Sequence, residues 1–209
     1  MREPVTQQGS CVRLEWAVCA TAYLGEQRSG DAYLVQGSPG GVDIAVVDGL
    51  GHGDEAADVA ERALESLRQT AGHSPVDRLT ACHAALRGSR GAVITVAAVD
   101  PEARSLVWVA VGNVEAAVVG PGLHGRPSIR TTVPLRGGVV GDRLPPLRGS
   151  TAALADGDIL VWATDGVSPA FLDAVDLSLP PPALARALHE AYARDDDDAL
   201  VLVARTGQG

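Results

Sequence analysis

The apolar positions near the start of the chain fall into short runs that are separated by polar and turn-forming residues. Runs of this length between clusters of glycine, proline and serine are typical of β-strands. They predict strands over Leu14–Tyr23, Ala32–Gln36 and Val42–Val47. The third run is apolar except for Asp43, which indicates a strand that is buried on both faces.

The hydrophobic period changes after residue 53, from the period of a strand to that of a helix. Asp54 is predicted to cap a first helix, whose alanines and leucines recur on one face until Gly72 ends it. Ser74 then supplies a second cap, followed by a first-turn proline, and this second helix is predicted to stop at Gly88.

Strands dominate the rest of the pattern. One more helix is predicted over Ala183–Ala193, and Gly120–Gly149 is predicted to be mostly loop. The remaining predicted strands are Ala92–Val99, Ser105–Val111, Glu115–Val119, Ser128–Val133, Asp158–Ala163 and Ala199–Ala204. This order predicts an α+β fold, a β-sandwich of two mainly antiparallel sheets flanked by helices (αββα), and not a repeating βαβ unit.

Length, charge and cysteine content narrow the class of protein. The 209 residues predict a single domain over residues 1–209, with residues 1–10 as a flexible tail. The net charge of −9 argues against nucleic acid and anionic membranes as partners, because both carry negative charge. The three cysteines form no CxxC pair, and the first ten residues contain no apolar stretch of a secretory signal. A cytoplasmic location is therefore expected.

Aspartate directly precedes or follows an apolar run in three places. Asp48-Gly49 and Asp165-Gly166 each follow a predicted strand, and the run Asp195–Asp198 leads into the last strand. Buried carboxylates converge only with a cation between them, and an all-oxygen ligand set selects Mg²⁺ or Mn²⁺. A lone Asp-Gly is most often a turn, and an aspartate run is most often a solvated loop. The three together shift the balance toward a metal site.

The loop between the third strand and the first helix contains three glycines in five positions. It reads Asp-Gly-Leu-Gly-His-Gly-Asp over residues 48–54 and matches neither of the common nucleotide-binding glycine motifs. With Asp48 at its head, the loop is better interpreted as a metal corner that faces a phosphorylated substrate. His52 is either a proton donor to a leaving group or a structural histidine, and the residues alone leave both roles open.

These motifs, taken in order, resemble those of the metal-dependent protein phosphatases of the type 2C superfamily, in their SpoIIE/RsbX-like branch. The Asp-Gly-Leu-Gly-His-Gly stretch is the most specific of them, and the ordered set spans nearly the whole chain. The segments that carry the resemblance are Ser29-Gly30-Asp31, residues 48–53, Gly112-Asn113, Ala163-Thr164-Asp165-Gly166 and Asp197-Asp198-Ala199.

The resemblance implies a role for each matching residue. Asp48 would bridge two metal ions, and Gly49 would offer its carbonyl to one of them. Asp165 and Asp197 would complete the first metal site, and Asp31 would stand beside the second. Asp198 is the alternative to Asp197 if the register differs by one. The residues expected to carry catalysis are thus Asp48, Asp165 and Asp197, and those expected at the metals are Asp31, Asp48, Gly49, Asp165, Asp197 and Asp198.

Two positions depart from the pattern of the family. Leu200 stands where many relatives have threonine, and it is expected to pack in the core. His52 lies three residues after Gly49, whereas the histidine of eukaryotic relatives directly follows the Asp-Gly pair. The role of that histidine as a general acid therefore does not carry over to His52.

The function implied by the resemblance is hydrolysis of phosphoserine and phosphothreonine by a water that two or more Mn²⁺ or Mg²⁺ ions activate. The implied substrates are phosphorylated STAS-domain stressosome or anti-anti-sigma-type proteins, and the chain is expected to be a monomer or weak dimer. One alternative is an inactive phosphatase-fold module that sequesters a signalling partner, and a weaker one is a hydrolase of small phosphate esters. Five arginines between residues 120 and 149 either contact phosphate or the partner, or are merely solvated: Arg126, Arg130, Arg136, Arg143 and Arg148.

Overall fold

Two antiparallel β-sheets form the centre of the computed structural model, which describes residues 4–11 and 13–207. The six-stranded sheet has the order β1-β2-β11-β10-β7-β8, with β1 at Val5–Cys11, β2 at Leu14–Thr21, β11 at Ala199–Thr206, β10 at Ile159–Ala163, β7 at Glu115–Pro121 and β8 at Pro127–Thr132. The five-stranded sheet has the order β3-β4-β5-β6-β9, with β3 at Asp31–Ser38, β4 at Gly41–Gly49, β5 at Ala92–Asp100, β6 at Ser105–Val111 and β9 at Ser150–Ala153. Neighbouring strands in both sheets run antiparallel.

Helices cover the outer face of each sheet. Helix α1 (Gly53–Gln69) and helix α2 (Pro75–Leu86) pack on the five-stranded sheet, and helix α3 (Pro181–Tyr192) packs on the six-stranded sheet. Short 3₁₀ turns lie at Leu123–Gly125 and Pro169–Ala174. The predicted αββα sandwich is confirmed. Among the described residues, no helix combines the length and the apolar character needed to cross a membrane.

The space between the two sheets is filled by large apolar side chains from both. Trp108 of β6 and Trp162 of β10 are almost fully buried there, together with aliphatic residues such as Ile44. The opposite faces of β4 and β10 are buried under helices. Because these strands have no solvated face, their sequences are continuously apolar rather than alternating. Leu200 packs in the same inter-sheet core, as expected.

The expected flexible tail over residues 1–10 is wrong from Val5 onward. Residues 5–11 form β1, which pairs with β2 in regular antiparallel register from Val5 opposite Ala20 to Cys11 opposite Leu14. This strand lies at the edge of the sheet and is mostly exposed, so its sequence carries no apolar run to announce it. Residues 1–3 of the expected tail lie outside the described residues.

Smaller differences occur at element ends. Helix α1 begins at Gly53, and His52 rather than Asp54 occupies the N-cap position. Asp54 lies in the first turn, where its negative charge interacts favourably with the helix dipole. Helix α3 begins at Pro181 instead of Ala183, because prolines fit the first turn of a helix. The short strand β9 (Ser150–Ala153) directly follows the predicted loop segment Gly120–Gly149, at a place where no strand is predicted.

One buried ion pair ties the helices to the five-stranded sheet. Arg78 of α2 lies 3.3 Å from the Asp43 carboxylate of β4, and both side chains are almost completely buried. Arg78 also donates to the carbonyl of Leu67 near the end of α1, and the N–H of Gly72 donates to Asp43. Asp43, near the start of β4, therefore anchors the connection between α1 and α2.

Removing one member of this pair is expected to destabilise the protein strongly. Asp43→Ala leaves the Arg78 guanidinium buried without a counter-charge, which costs about 3–5 kcal/mol. The matched control is Asp156→Ala, which breaks the exposed pair between Asp156 and Arg104 and should cost about 1 kcal/mol or less. Urea unfolding monitored by circular dichroism measures both variants, and equal losses of stability would contradict this assignment.

Candidate active site

The antiparallel register of the five-stranded sheet places two of the predicted acids side by side. Asp31 is the first residue of β3, Asp48 is the penultimate residue of β4, and the two are directly paired across the strands. Asp31 is buried and Asp48 is partly buried. Because β3 begins where its antiparallel neighbour β4 ends, residues 17 positions apart in the chain lie directly opposite each other.

The six-stranded sheet delivers the other acids to the same place. Asp165 follows β10 and Asp197 precedes β11, and these two strands are antiparallel neighbours. Thr164 joins the two sheets, because its hydroxyl donates to Asp31 at 2.6 Å and accepts from the N–H of Leu200 at 2.9 Å. Strand-end aspartates from both sheets therefore lie at the same end of the sandwich.

Mutual repulsion and burial disturb the protonation of the paired acids. The pKa of Asp48 is raised to about 8, first by burial and then by the negative charges of Asp165, Asp197 and Asp198. The pKa of Asp31 is raised well above its ordinary value by burial and by the charge of Asp48, and the hydrogen bond from Thr164 opposes this shift. Four separate chain segments thus place carboxylates within electrostatic reach of one another.

Asp165 and Asp197 are the more accessible members of the group. Asp165 is exposed, and its carboxylate accepts a hydrogen bond of 2.8 Å from the side-chain amide of Asn113. Asp197 is partly buried and accepts from the backbone N–H of Asp198 at 2.8 Å. Burial raises the pKa of Asp197, and the hydrogen bond from that N–H works in the opposite direction. Both carboxylates are therefore more accessible than those of Asp31 and Asp198.

Asp198 has different surroundings from its neighbour. It is 4% exposed, and each of its carboxylate oxygens accepts a backbone hydrogen bond of 2.7 Å, one from Tyr23 and one from Gly30. The segment that supplies these donors connects β2 to β3 and leads directly into Asp31. The two aspartates that the sequence presents as interchangeable are therefore in distinct environments.

The two Asp-Gly corners require glycine for space rather than for a special backbone conformation. A Cβ on Gly49 would lie 2.4 Å from the carbonyl oxygen of Ala56, and one on Gly166 would lie 1.8 Å from the carbonyl oxygen of Asp198. Neither glycine has a positive φ angle. The glycines let α1 and the residue before β11 approach the acid-bearing corners closely.

The rim of the site contains residues that sequence reasoning missed. Glu26 forms an ion pair with His52, with 2.8 Å between Oε1 and Nδ1, and the ring of Tyr23 lies 4.9 Å from the imidazole, centre to centre. Thr164 was visible only as part of a family motif. Nothing in the local pattern around Tyr23 and Glu26 points to the site, because their proximity to His52 arises from the tertiary fold.

The donor set fits a hard divalent cation in its chemistry. All the convergent side chains are aspartates, and within the described ranges none of Asp31, Asp48, Asp165, Asp197 and Asp198 forms a salt bridge with a basic residue. As the side chains stand, however, no three His, Cys, Asp or Glu residues of positions 4–11 and 13–207 are arranged to hold an ion. Rotation of the accessible carboxylates is needed to complete a ligand set.

Comparison with known protein families decides the relationship. The sequence model for stage II sporulation protein E matches residues 38–207, which include every predicted site residue except Asp31. The chain belongs to the SpoIIE family. Together with the sandwich fold, this membership places it in the type 2C class of metal-dependent protein phosphatases, and the chain is a phosphatase-type enzyme.

Solved structures agree with the SpoIIE assignment. A structure reported for the bacterial stressosome, as a modular system adapted to control secondary messenger signalling, is 32% identical, with a TM-score of 0.80 over 93% of this chain and 100% of that one. RsbX in complex with magnesium is 20% identical, with a TM-score of 0.81 over 96% of this chain and 99% of its own.

A third structure extends the fold comparison to a manganese complex. The catalytic domain of the serine/threonine protein phosphatase PstP in complex with two manganese ions is 16% identical, with a TM-score of 0.68 over 93% of this chain and 98% of its own. Comparison with curated protein sequences gives no significant match. Solved relatives of this SpoIIE-family chain therefore hold magnesium or manganese.

The raised pKa of Asp48 predicts a pH-dependent stability for the metal-free protein. Between about pH 4 and pH 8 the folded state retains a proton that the unfolded state has released, so stability should fall as the pH rises through this window. Asp48→Asn removes the buried charge. It should stabilise the chelator-treated protein at pH 8 by about 1 kcal/mol or more, or ~2–4 °C in melting temperature, with a clearly smaller effect at pH 5.

Thermal unfolding in the presence of EDTA at the two pH values measures this difference. Asp156→Asn, which removes an exposed carboxylate outside the site, serves as the charge-matched control and should behave like the wild type at both. A melting temperature at pH 8 that Asp48→Asn leaves unchanged would show that the Asp48 charge is not confined as described.

Proposed function

We propose that this chain hydrolyses phosphoserine and phosphothreonine on proteins of a stress-signalling system, with divalent cations held by the convergent aspartates. The observation that carries the proposal is the meeting of carboxylates from both sheets at one end of the sandwich, without a basic partner in the described ranges. Carboxylates this close together repel one another, and bound cations would neutralise their charge. A carboxylate cluster that holds divalent cations supports hydrolysis of phosphate esters.

The proposed ligand assignment follows the positions of the residues. Asp48 and Asp165 take a central place, because the charge of Asp165 raises the pKa of Asp48 more than that of any other carboxylate does. Asp197 faces the same group, Asp31 stands directly across from Asp48, and the carbonyl of Gly49 is a further oxygen donor. Two or more Mg²⁺ or Mn²⁺ ions held by these residues would lower the pKa of a nucleophilic water and neutralise charge on the phosphoryl oxygens.

The remaining residues of the site hold these acids in place. Thr164 fixes the orientation of Asp31 through a buried hydroxyl, and Asn113 donates a hydrogen bond to the exposed carboxylate of Asp165. Glu26 holds His52 at the rim, where either role considered for the histidine, as proton donor or as structural residue, remains compatible with the ion pair.

A cysteine-based mechanism does not fit the same site. Cys19 and Cys82 are buried outside the aspartate corner, and burial raises the pKa of the Cys82 thiol to about 12. A thiol with such a pKa is not ionised near neutral pH and does not act as a nucleophile. Direct attack by water, without a covalent phosphoenzyme, is the mechanism that the donor set supports.

The proposed substrates are phosphorylated STAS-domain proteins of a stressosome or partner-switching system. Support comes from the 32% identical structure reported for the bacterial stressosome and from the fold similarity to RsbX. The net charge of −9 disfavours nucleic acid and anionic membranes as partners. A single catalytic domain over residues 1–209, a monomer or weak dimer and a cytoplasmic location complete the proposal.

The second candidate function is an inactive module that binds and sequesters a signalling partner. The specific observation in its favour is that no ready-made group of three ligands stands among residues 4–11 and 13–207. The argument against this second function is that the strand-end aspartates lie together at one place. A domain that only binds a partner has no need of such buried carboxylates.

Phosphate release in the presence of Mn²⁺ separates the two functions. A phosphoserine-bearing STAS-domain protein should be dephosphorylated, EDTA should abolish the reaction, and Asp48→Asn or Asp165→Asn should slow it by at least about 100-fold because a charged ligand is lost. Asp156→Asn should retain wild-type activity. Calorimetry establishes first that the wild type has bound Mn²⁺.

Three outcomes decide the matter. A Mn²⁺-loaded, folded protein that releases no phosphate from any phosphoprotein would favour the sequestering module. Release from p-nitrophenyl phosphate or free phosphoserine alone would instead indicate a hydrolase of small esters. Metal-dependent release from the phosphoprotein, lost in both aspartate variants, would support the proposed phosphatase.

A further inference from the structure

We propose that Asp198 is not an alternative metal ligand to Asp197 but a positioning residue, which aligns the metal-binding corner through two backbone hydrogen bonds. The proposal deepens the proposed function, because it assigns different roles to two residues of the same site. It starts from the buried Asp198 carboxylate, which has both of its oxygens engaged by chain segments far away in sequence.

The two hydrogen bonds of Asp198 join the start of β11 to the connection between β2 and β3. The N–H groups of Tyr23 and Gly30 each donate to a different oxygen of the carboxylate, both at 2.7 Å. Hydrogen bonds from backbone N–H groups to an ionised carboxylate are shorter and stronger than bonds between neutral groups. One side chain therefore fixes both ends of the segment 23–30.

Gly30 transmits this constraint to the metal-binding residues. Its N–H is bound to Asp198, and its carbonyl accepts the N–H of Gly49 at 3.0 Å. A Cβ on Gly30 would lie 2.8 Å from the Cβ of Ala56 and 3.2 Å from the Asp198 carboxylate, so the peptide is closely enclosed. Asp31 follows directly in the chain, so Asp198 aligns two expected ligands, the Asp31 carboxylate and the Gly49 carbonyl.

The Tyr23 end of the segment leads to the rim of the site. The N–H of Glu26 donates to the carbonyl of Tyr23 at 3.0 Å and closes a turn, and Glu26 in turn pairs with His52. The same carboxylate that aligns the metal-binding corner therefore also determines where Glu26 and His52 stand.

Direct metal ligation by Asp198 would require giving up these contacts. An oxygen turned toward an ion would leave the N–H of Tyr23 or Gly30 without its present acceptor, and an unpaired buried donor is unfavourable. Asp197 has fewer contacts: within the described residues, one of its oxygens accepts a hydrogen bond, from the adjacent N–H of Asp198. Asp197 is also more accessible, so its rotation toward an ion would break that one local hydrogen bond and none to a distant segment.

Amide hydrogen exchange followed by NMR tests the positioning role on the wild-type chain. The Tyr23 and Gly30 amide protons should be protected from exchange in metal-free protein. Their protection should persist or increase when Mg²⁺, which is diamagnetic and therefore suits NMR, is titrated to saturation. A positioning residue keeps its hydrogen bonds when the metal binds. Loss of protection at these two amides on Mg²⁺ addition would show that Asp198 turns to the metal and would overturn the proposal.

A matched pair of variants supplies the second test. Asp198→Asn replaces one acceptor oxygen with the NH2 of a side-chain amide, which cannot accept a hydrogen bond from the backbone N–H that faces it. Amide exchange within residues 23–30 should therefore accelerate at least 10-fold in metal-free protein. Asp197→Asn should leave exchange there unchanged. In Mn²⁺ calorimetry, Asp198→Asn should weaken binding by about 10–100-fold with the same number of ions, as expected for a residue that orients ligands. Asp197→Asn should lower the number of ions bound.

The outcomes distinguish this proposal from the proposed function. Loss of one bound ion in Asp198→Asn, with exchange at residues 23–30 unchanged, would make Asp198 a ligand and contradict the inference. Failure of the wild type to bind Mn²⁺ or Mg²⁺ would remove the proposed function. The metal-free exchange comparison would still decide whether Asp198 holds the segment 23–30, and if Asp198→Asn does not fold, the wild-type exchange measurement decides alone.

Discussion

Electrostatic repulsion among aspartates at one end of the sandwich is the constraint on which the site depends. The edge of the five-stranded sheet sets Asp31 against Asp48, and the facing edge of the six-stranded sheet adds Asp165 and Asp197. Burial of a carboxylate without a compensating charge costs several kcal/mol, and here burial and like charge act together on Asp48. The rest of the fold supplies the stability that keeps such a group in place.

That stability comes from elements away from the acidic corner. Two tryptophans and many aliphatic side chains fill the space between the sheets, and helices bury the outer faces. The buried Arg78–Asp43 pair secures α1 and α2 at the far end of β4, the strand that ends in Asp48. One strand thus carries a charge-balanced aspartate at its start and an unbalanced one at its end. This contrast separates a structural acid from a functional one within a single element.

Much of this arrangement could be predicted from the sequence, because apolar runs that end in Asp-Gly indicate buried strands with carboxylates at their ends. The resemblance in ordered motifs led to the correct family and fold. What the pattern could not provide was tertiary: the two backbone donors that occupy Asp198 lie about 170 positions away along the chain. Likewise the edge strand β1 has no apolar signal, and the contact of Glu26 with His52 has no local one.

The most direct test of the central claim is a crystal structure of the protein soaked in Mn²⁺, with data collected to locate anomalous scattering. The account predicts anomalous peaks in the corner between the sheets, bonded to Asp48, Asp165 and Asp197, with Asp198 still bound to the N–H groups of Tyr23 and Gly30. Saturating Mn²⁺ that leaves the corner without an anomalous peak, or peaks bonded only to other residues, would contradict the account.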